Sequence, residues 1–246
     1  LRSVTDPAPG LQNYATLLGG GTYARVFFNT FLVAFVVTIV TVIVAFPVAW
    51  MLAIMPPALA SILFGVMILS MWTNLLTRTY AWMVLLQRTG VINRALMATG
   101  IIDQPLPLIN NLTGVTIGMV YIMLPFMILP LVGTLRAIDP MTLRAAALCG
   151  ASPLAAFRRI LLPLSLPGIA AGGLMVFVMS LGYFVTPALL GGTSNMMLAE
   201  MIAQMIQSLL NWGLGSAAAF ILLVATMALY ALQLRLDGAR RATGGI

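Results

Sequence analysis

Long, nearly uncharged apolar segments separated by short polar ones dominate the chain from residue 29 to residue 235. A helix needs about 20 consecutive apolar residues to cross the hydrocarbon core of a bilayer. Five segments meet that requirement: 29–54, 61–86, 113–135, 164–190 and 216–235. Turn-forming residues end two of them, Pro56 and Pro57 after the first and the cluster 191–195 after the fourth. The pattern predicts an all-α integral membrane protein, with residues 1–246 forming one transmembrane domain.

The segments between these spans differ in charge. Residues 136–159 hold four Arg and one Asp, a net charge of +3, and the residues from Arg235 onward have a net charge of +2. Three other segments together carry only +1: residues 1–28, 87–112 and 191–215. Because Arg and Lys concentrate on the cytoplasmic side of membranes, we expect the loop 136–163 and the tail 236–246 in the cytoplasm. The other three segments are then external.

Composition supports a membrane location and excludes several kinds of chemistry. Only 7% of the 246 residues are charged and the mean hydropathy is +1.08, so lipid replaces water around most of the molecule. There is no His and one Cys, Cys149, which rules out a His/Cys metal cluster, a His-based triad and an internal disulfide. All 12 basic residues are scattered Arg, which argues against nucleic-acid binding. Without Lys there is no P-loop, so we expect no cofactor in this chain, and ATP-driven activity would need another subunit.

The cytoplasmic loop contains start and stop signals for two short helices. Asp139 and Ser152 are good N-caps, each followed by Pro, and Gly150 is a good C-terminal stop. Two such helices would make a compact projection suited to docking, with small and apolar residues at Ala145, Ala146, Gly150, Leu148, Leu154 and Phe157. On this pattern alone, a simple connector between two spans explains the segment equally well.

The same loop resembles the one shared by permeases of binding-protein-dependent ABC importers. That pattern is Glu-Ala-Ala, three residues, Gly, about nine residues, Ile, one residue and Leu-Pro. The matching positions here are Ala145, Ala146, Gly150, Ile160, Leu162 and Pro163. The resemblance implies coupling helices that sit in a groove of the ATPase subunit, with coupling candidates Arg144, Ala145, Ala146, Leu148, Gly150, Ala151, Leu154 and Phe157. Arg144 departs from the family, which usually has Glu at that position.

Three further segments make the chain most similar to permeases of the spermidine/putrescine type: MWTNLLTRTYAW at 71–82, YIMLPF at 121–126 and SLGYFVTPALLGG at 180–192. The resemblance implies the ABC importer permease fold, with five transmembrane helices in this sequence and a sixth expected before residue 1. It also implies a non-catalytic subunit forming half of a translocation pathway, with a polyamine such as putrescine or spermidine as the best-matched solute.

The implied assembly contains a second homologous permease, a dimer of ATPase subunits that binds ATP and Mg, and a periplasmic binding protein, in the bacterial inner (plasma) membrane. Ferric ion, phosphonates and opines stay open as alternative solutes. A self-sufficient secondary transporter is a further alternative, which the few intramembrane carboxylates and the lack of an inverted repeat disfavour. A membrane enzyme is the weakest reading, because the usual catalytic groups are missing.

Polar and aromatic residues within the predicted spans are candidates for the substrate path. Arg78 is an ionisable group inside a span, which makes it a functional candidate, although an Arg near a span end also serves as an interfacial or structural group. Aromatic faces hold amines by cation–π contact, but interfacial belts account for many Trp and Tyr in membrane proteins. The candidates are Trp72, Asn74, Arg78, Tyr80, Tyr121, Tyr183 and Phe184.

Glu200 is the only acidic residue in the external connection 191–215. It is a candidate for attracting a polyamine or contacting the binding protein. The alternative, which the sequence favours, is a solvated charge on the surface of a helix.

Overall fold

A computed structural model describes residues 2–5, 11–192 and 195–243, with side chains in 3–5, 11–192 and 195–231. The regular elements in these residues are helical, and we number the α-helices in chain order: α1 Arg2–Thr5, α2 Gln12–Gly19, α3 Gly21–Ile54, α4 Pro57–Trp72, α5 Leu75–Leu86, α6 Val91–Ala98, α7 Leu112–Arg136, α8 Pro140–Leu148, α9 Pro153–Ala156, α10 Leu162–Leu181, α11 Val185–Leu190, α12 Leu198–Gln207 and α13 Trp212–Thr243. A π-helical turn, Phe157–Leu161, joins α9 to α10. Residues 1, 6–10, 193, 194 and 244–246, which belong to the predicted external segment, the turn after the fourth span and the tail, lie outside the described residues.

Four helical segments of the described residues are long and apolar enough to cross a membrane: Gly21–Ile54, Leu112–Arg136, Pro153–Leu181 and Trp212–Ala231. The broken pair Pro57–Trp72 and Leu75–Ala98 passes the same test jointly, which would make five. Helix α7 coincides with the predicted segment 113–135. Helices α3 and α13 extend beyond the predicted 29–54 and 216–235, and α13 remains helical into the predicted tail.

The second predicted span, 61–86, is not one continuous helix. Helix α4 ends at Trp72, the backbone of Thr73 is extended with φ −67° and ψ 141°, and α5 begins at Leu75. Apolar composition continues across this break, which is why the hydrophobic pattern did not reveal it. Thr and Asn, which occupy positions 73 and 74, are weak helix formers.

The fourth predicted span, 164–190, is also interrupted. Helix α10 ends at Leu181 and α11 begins at Val185. Pro187 explains the interruption, because its ring would collide with the carbonyl of Tyr183 if one helix continued through both residues. At its other end, α10 continues the helical run that begins at Pro153, so the second predicted loop helix is the start of this span.

The described chain divides into two compact units. The first comprises Leu1–Phe35, Leu76–Met119 and Val178–Ile246. Its apolar core is formed by α2, α12 and α13, with these buried residues: Leu17, Leu198, Met201, Met205, Leu214, Ala217 and Ala218. Tyr14 of α2 packs edge-on against Phe220 of α13, with ring centroids 6.3 Å apart.

The second unit comprises Val36–Leu75 and Val120–Phe177, and contains the cytoplasmic loop. Helices α7 and α10 approach closely at two glycines of α10. A Cβ at Gly168 would lie 2.6 Å from Thr134 Oγ1, and one at Gly172 would lie 2.7 Å from Met127 Sδ. Small residues four apart let membrane helices pack backbone to backbone. The cytoplasmic loop therefore connects two helices that are held tightly together.

Candidate functional site

Both predicted N-caps of the cytoplasmic loop are confirmed. Asp139 Oδ1 accepts a hydrogen bond from the backbone N–H of Met141 at 2.8 Å. Ser152 Oγ accepts one from the backbone N–H of Ala155 at 3.3 Å. Each cap satisfies a donor that the first turn of a helix leaves unpaired, and the Pro that follows has no N–H to satisfy.

Gly150 ends α8 in a left-handed conformation, with φ +80°. The N–H of Gly150 donates to Ala147 O and the N–H of Ala151 donates to Ala146 O, both at 3.0 Å. These two bonds form a Schellman motif, which uses Gly because a Cβ disfavours the left-handed region. The motif fixes the direction in which the chain leaves α8.

Helix α8 has an inward and an outward face. Leu143 and Ala146 are half-buried, whereas Met141, Ala145 and Leu148 are exposed, Leu148 at 90%. Met141, Ala145 and Leu148 are spaced at i, i+4 and i+7, so they share one stripe of the helix. No residue of α8 is buried by the described chain. An apolar stripe left this exposed on a short helix is typical of a surface that another protein covers.

Phe157 has a different role from Leu148. Its ring packs edge-on against Phe46 of α3, with centroids 5.5 Å apart and planes at 85°, and it is only 37% exposed. In the π-helical turn that Phe157 begins, the N–H of Leu162 donates to the carbonyl of Phe157, five residues back. This wider turn relieves the collision that Pro163 would cause in a regular helix. Phe157 thus anchors the loop to its own unit.

The loop is strongly basic. The second unit contains four Arg but only one acid, Asp139. Arg136 Nη2 donates to Leu52 O at the end of α3 at 3.2 Å, and its guanidinium lies 5.8 Å from the Phe64 ring centroid. The other three are exposed: Arg144, Arg158 and Arg159. Arg144 lines a cavity of ≈ 430 Å³ beside α8, and Arg158 and Arg159 line another of ≈ 560 Å³.

Four of the substrate-path candidates lie in the first unit. Arg78 is close enough to Tyr183 to act electrostatically on its phenol group. Arg78 is half-buried, and within the described residues its Nε has no hydrogen-bond partner. Tyr80 and Phe184 are exposed. Next to Arg78, the buried hydroxyls of Thr79 and Thr186 are hydrogen-bonded at 3.3 Å, which joins α5 to α11.

The other three candidates lie in the second unit. Trp72, the last residue of α4, is 86% exposed, and Asn74 is exposed in the break after it. Tyr121 is half-buried, and its hydroxyl is 3.0 Å from Ser70 Oγ, within hydrogen-bond distance. Within each unit, the structure therefore pairs Arg78 with Tyr183 and Tyr121 with Ser70.

Glu200 is not the solvated charge that the sequence favoured. It is half-buried at the third position of α12, where its carboxylate accepts from the backbone N–H of Met197. Its Oε2 is buried with no hydrogen-bond partner among the described residues. Burial raises the pKa of this carboxyl group, and the hydrogen bond from Met197 lowers it by less.

Asn93 organises the external loop 87–112, a role that sequence reasoning missed. Its side chain is fully buried. Nδ2 donates to Gln87 O at 3.1 Å and Leu106 O at 3.0 Å, and Oδ1 accepts from the N–H of Leu106 at 2.9 Å. The partners lie six and thirteen residues away, so no local motif signals this contact.

Comparison with known proteins identifies similar chains. The family described as "Binding-protein-dependent transport system inner membrane component" matches residues 16–242. The chain is 35% identical over 214 residues to the spermidine/putrescine transport system permease protein PotB of Escherichia coli (strain K12), covering 87% of this chain and 78% of that protein. For PotB of Haemophilus influenzae the identity is 36% over 214 residues, with 87% and 74% covered.

A solved structure of similar fold is the bacterial alginate ABC transporter in complex with an alginate pentasaccharide-bound periplasmic protein. One of its chains matches with a TM-score of 0.67 and 15% identity, covering 91% of this chain and 81% of that one. At this identity the likeness concerns the fold alone.

Proposed function

The chain belongs to the family of binding-protein-dependent transport system inner membrane components, and on that premise we propose that it imports a polyamine such as putrescine or spermidine as half of an ATP-driven translocation pathway. Family membership makes the chain a multi-pass permease subunit. It is a transport subunit and not an enzyme, and a separate subunit hydrolyses ATP.

The observation that carries the polyamine proposal is the 35–36% identity with PotB over 87% of this chain. Exposed aromatic groups such as Tyr80 and Phe184 are available for cation–π contact with an amine. Arg78 would repel a polycation, so we assign it a structural or gating role instead of a binding one. Its nearness to Tyr183 supports that assignment.

We further propose a complete importer of four kinds of subunit in the bacterial inner membrane. This permease would pair with a second homologous permease, and an external binding protein would deliver the solute. Two ATPase subunits would bind ATP and Mg and receive the loop 136–163. The support for ATPase docking is the exposed apolar stripe of α8, which the described chain leaves uncovered.

The solute is tested by reconstituting the complete complex in proteoliposomes with ATP inside and the binding protein outside. Saturable uptake of labelled putrescine or spermidine, lost when ATP or the binding protein is left out, is the expected result. An unrelated solute, such as a 2-aminoethylphosphonate, serves as the comparison. Uptake of that solute without uptake of either polyamine would refute the polyamine proposal and leave the importer assignment intact.

The docking surface is tested with Leu148→Asp, matched by Ile101→Asp in the external loop. Both residues are exposed aliphatic side chains, at 90% and 69%. Burying an unpaired carboxylate in an interface costs several kcal/mol, about 2–5 in comparable cases. We expect Leu148→Asp to lose the ATPase on purification and Ile101→Asp to keep it. Equal ATPase retention by both variants would show that the loop is only a connector.

A further inference from the structure

Arg144 occupies the centre of the outward face of α8. It lies three residues after Met141 and four before Leu148, so one helix face carries apolar, cationic and apolar groups in that order. The guanidinium is exposed. A groove that receives this face must place some group of its own opposite Arg144.

The chain itself supplies no carboxylate suited to Arg144. Asp139 is the one acid in the sequence of the second unit, and its Oδ1 is engaged as the N-cap of α8. Arg158 and Arg159, at the other end of the loop, add two more exposed guanidiniums. Four Arg against one Asp give the unit a net charge of +3. A partner must therefore neutralise this face or bear the cost of leaving a guanidinium desolvated and unpaired.

We infer that the ATPase groove receiving α8 presents a carboxylate to Arg144, and that this charge pair determines which ATPase the permease accepts. The inference rests on the proposed ATPase docking. Arginine suits the role because its planar guanidinium pairs with a carboxylate through two parallel hydrogen bonds. Apolar contacts from Met141 and Leu148 would then hold the helix, while Arg144 sets its orientation. An ATPase with a basic group at the same place would be rejected by like-charge repulsion.

The test measures the affinity of the purified ATPase for the paired permeases in nanodiscs, at low and high salt. We expect Arg144→Gln to weaken binding about 10- to 100-fold and Arg144→Glu to weaken it further, with a smaller salt dependence for both. Arg88→Glu, an exposed external arginine, is the matched control and should bind as wild type. Replacing each Asp or Glu of the ATPase contact surface by Lys should identify one position that restores binding to Arg144→Glu.

Leu148→Asp, measured beside these variants, separates the two levels of the proposal. Loss of binding in Leu148→Asp together with wild-type binding in Arg144→Glu would overturn the charge pair and keep the docking site. Wild-type binding in both would overturn docking itself. The measurement is repeated with and without anionic lipid. An effect of Arg144→Glu that requires anionic lipid would show that Arg144 contacts lipid headgroups, and tighter binding by Arg144→Glu would show a basic groove. Either outcome rejects the inference.

Discussion

The rings of Phe46 and Phe157 meet edge-on, with centroids 5.5 Å apart, and so connect the cytoplasmic loop to α3. This contact gives Phe157 a structural function within the second unit. Leu148, which has no such contact and is 90% exposed, is therefore the better probe of docking. The distinction determines how substitutions in this loop are to be interpreted.

The aromatic pair should be measurable as a coupling energy. Phe157→Leu and Phe46→Leu are each expected to lower thermal stability, because each removes the edge-to-face contact. The double variant should cost less than the sum of the two, by about 0.5–1.5 kcal/mol. Thermal unfolding in detergent measures all three, with Leu164→Ala, an exposed position of α10, as a control. Strict additivity would show that the rings do not interact.

Substitution of Gly150 should weaken ATPase retention through the backbone alone. No atom lies within 4 Å of a Cβ built at this position, so Gly150→Ala creates no clash but forces Ala into the left-handed region, at about 1–2 kcal/mol. Gly150→Asn should be milder, since Asn tolerates that region. Gly100, with φ +71° and equally open surroundings, is the matched external control. If Gly150→Ala and Gly100→Ala retain the ATPase equally, the Schellman turn is not needed for docking.

Loss of the Asn93 side chain should loosen the external loop. Asn93→Ala leaves Gln87 O and both backbone groups of Leu106 without their partner, at a local cost of about 2–4 kcal/mol. Faster amide hydrogen exchange across residues 87–112 in nanodiscs is the expected result. Asn93→Asp keeps the acceptor and loses the donors, so its exchange should be intermediate. Unchanged exchange in Asn93→Ala would contradict the assigned role.

Glu200 should make the protein less stable as pH rises. Its folded-state pKa is raised by burial, so the folded state holds this proton more tightly than the unfolded state does. The stabilising contribution is complete below the unfolded pKa of about 4.3 and is lost as pH rises through the folded pKa. Glu200→Gln keeps an acceptor for the N–H of Met197 and should raise the melting temperature at pH 7.5 by about 1–2 °C. This gain should shrink toward pH 4, and a gain independent of pH would have another cause.

The membrane topology can be tested with the native thiol. Cys149 is exposed and is the one cysteine of the chain. The net charge of +3 on its loop places it in the cytoplasm. An impermeant thiol reagent should label Cys149 only after cells are permeabilised. In a Cys149→Ser background, Asn195→Cys should be labelled in intact cells. The reverse pattern would invert the topology.

Local chemistry allowed the sequence to determine the helical class, the caps of α8 and α9, and the glycine stop at Gly150. Each depends on residues a few positions apart, so hydrophobic run length, an Asp or Ser before Pro, and a Gly after an apolar run were sufficient. The coupling candidates and their partners came from the resemblance of this loop to importer permeases. The sequence also located the long apolar segments to within a few residues where no break interrupts them, as in α7.

Contacts between distant residues were decided only by the tertiary structure. Phe157 packs on Phe46 from more than a hundred positions away. Glu200 is half-buried although its helix looked solvated, and Asn93 joins two parts of an external loop. The breaks after Trp72 and Leu181 occur where the apolar run continues, so composition alone could not reveal them. Hydrophobicity specifies which segments leave water, whereas side-chain partners and helix ends inside the membrane depend on packing that no local pattern records.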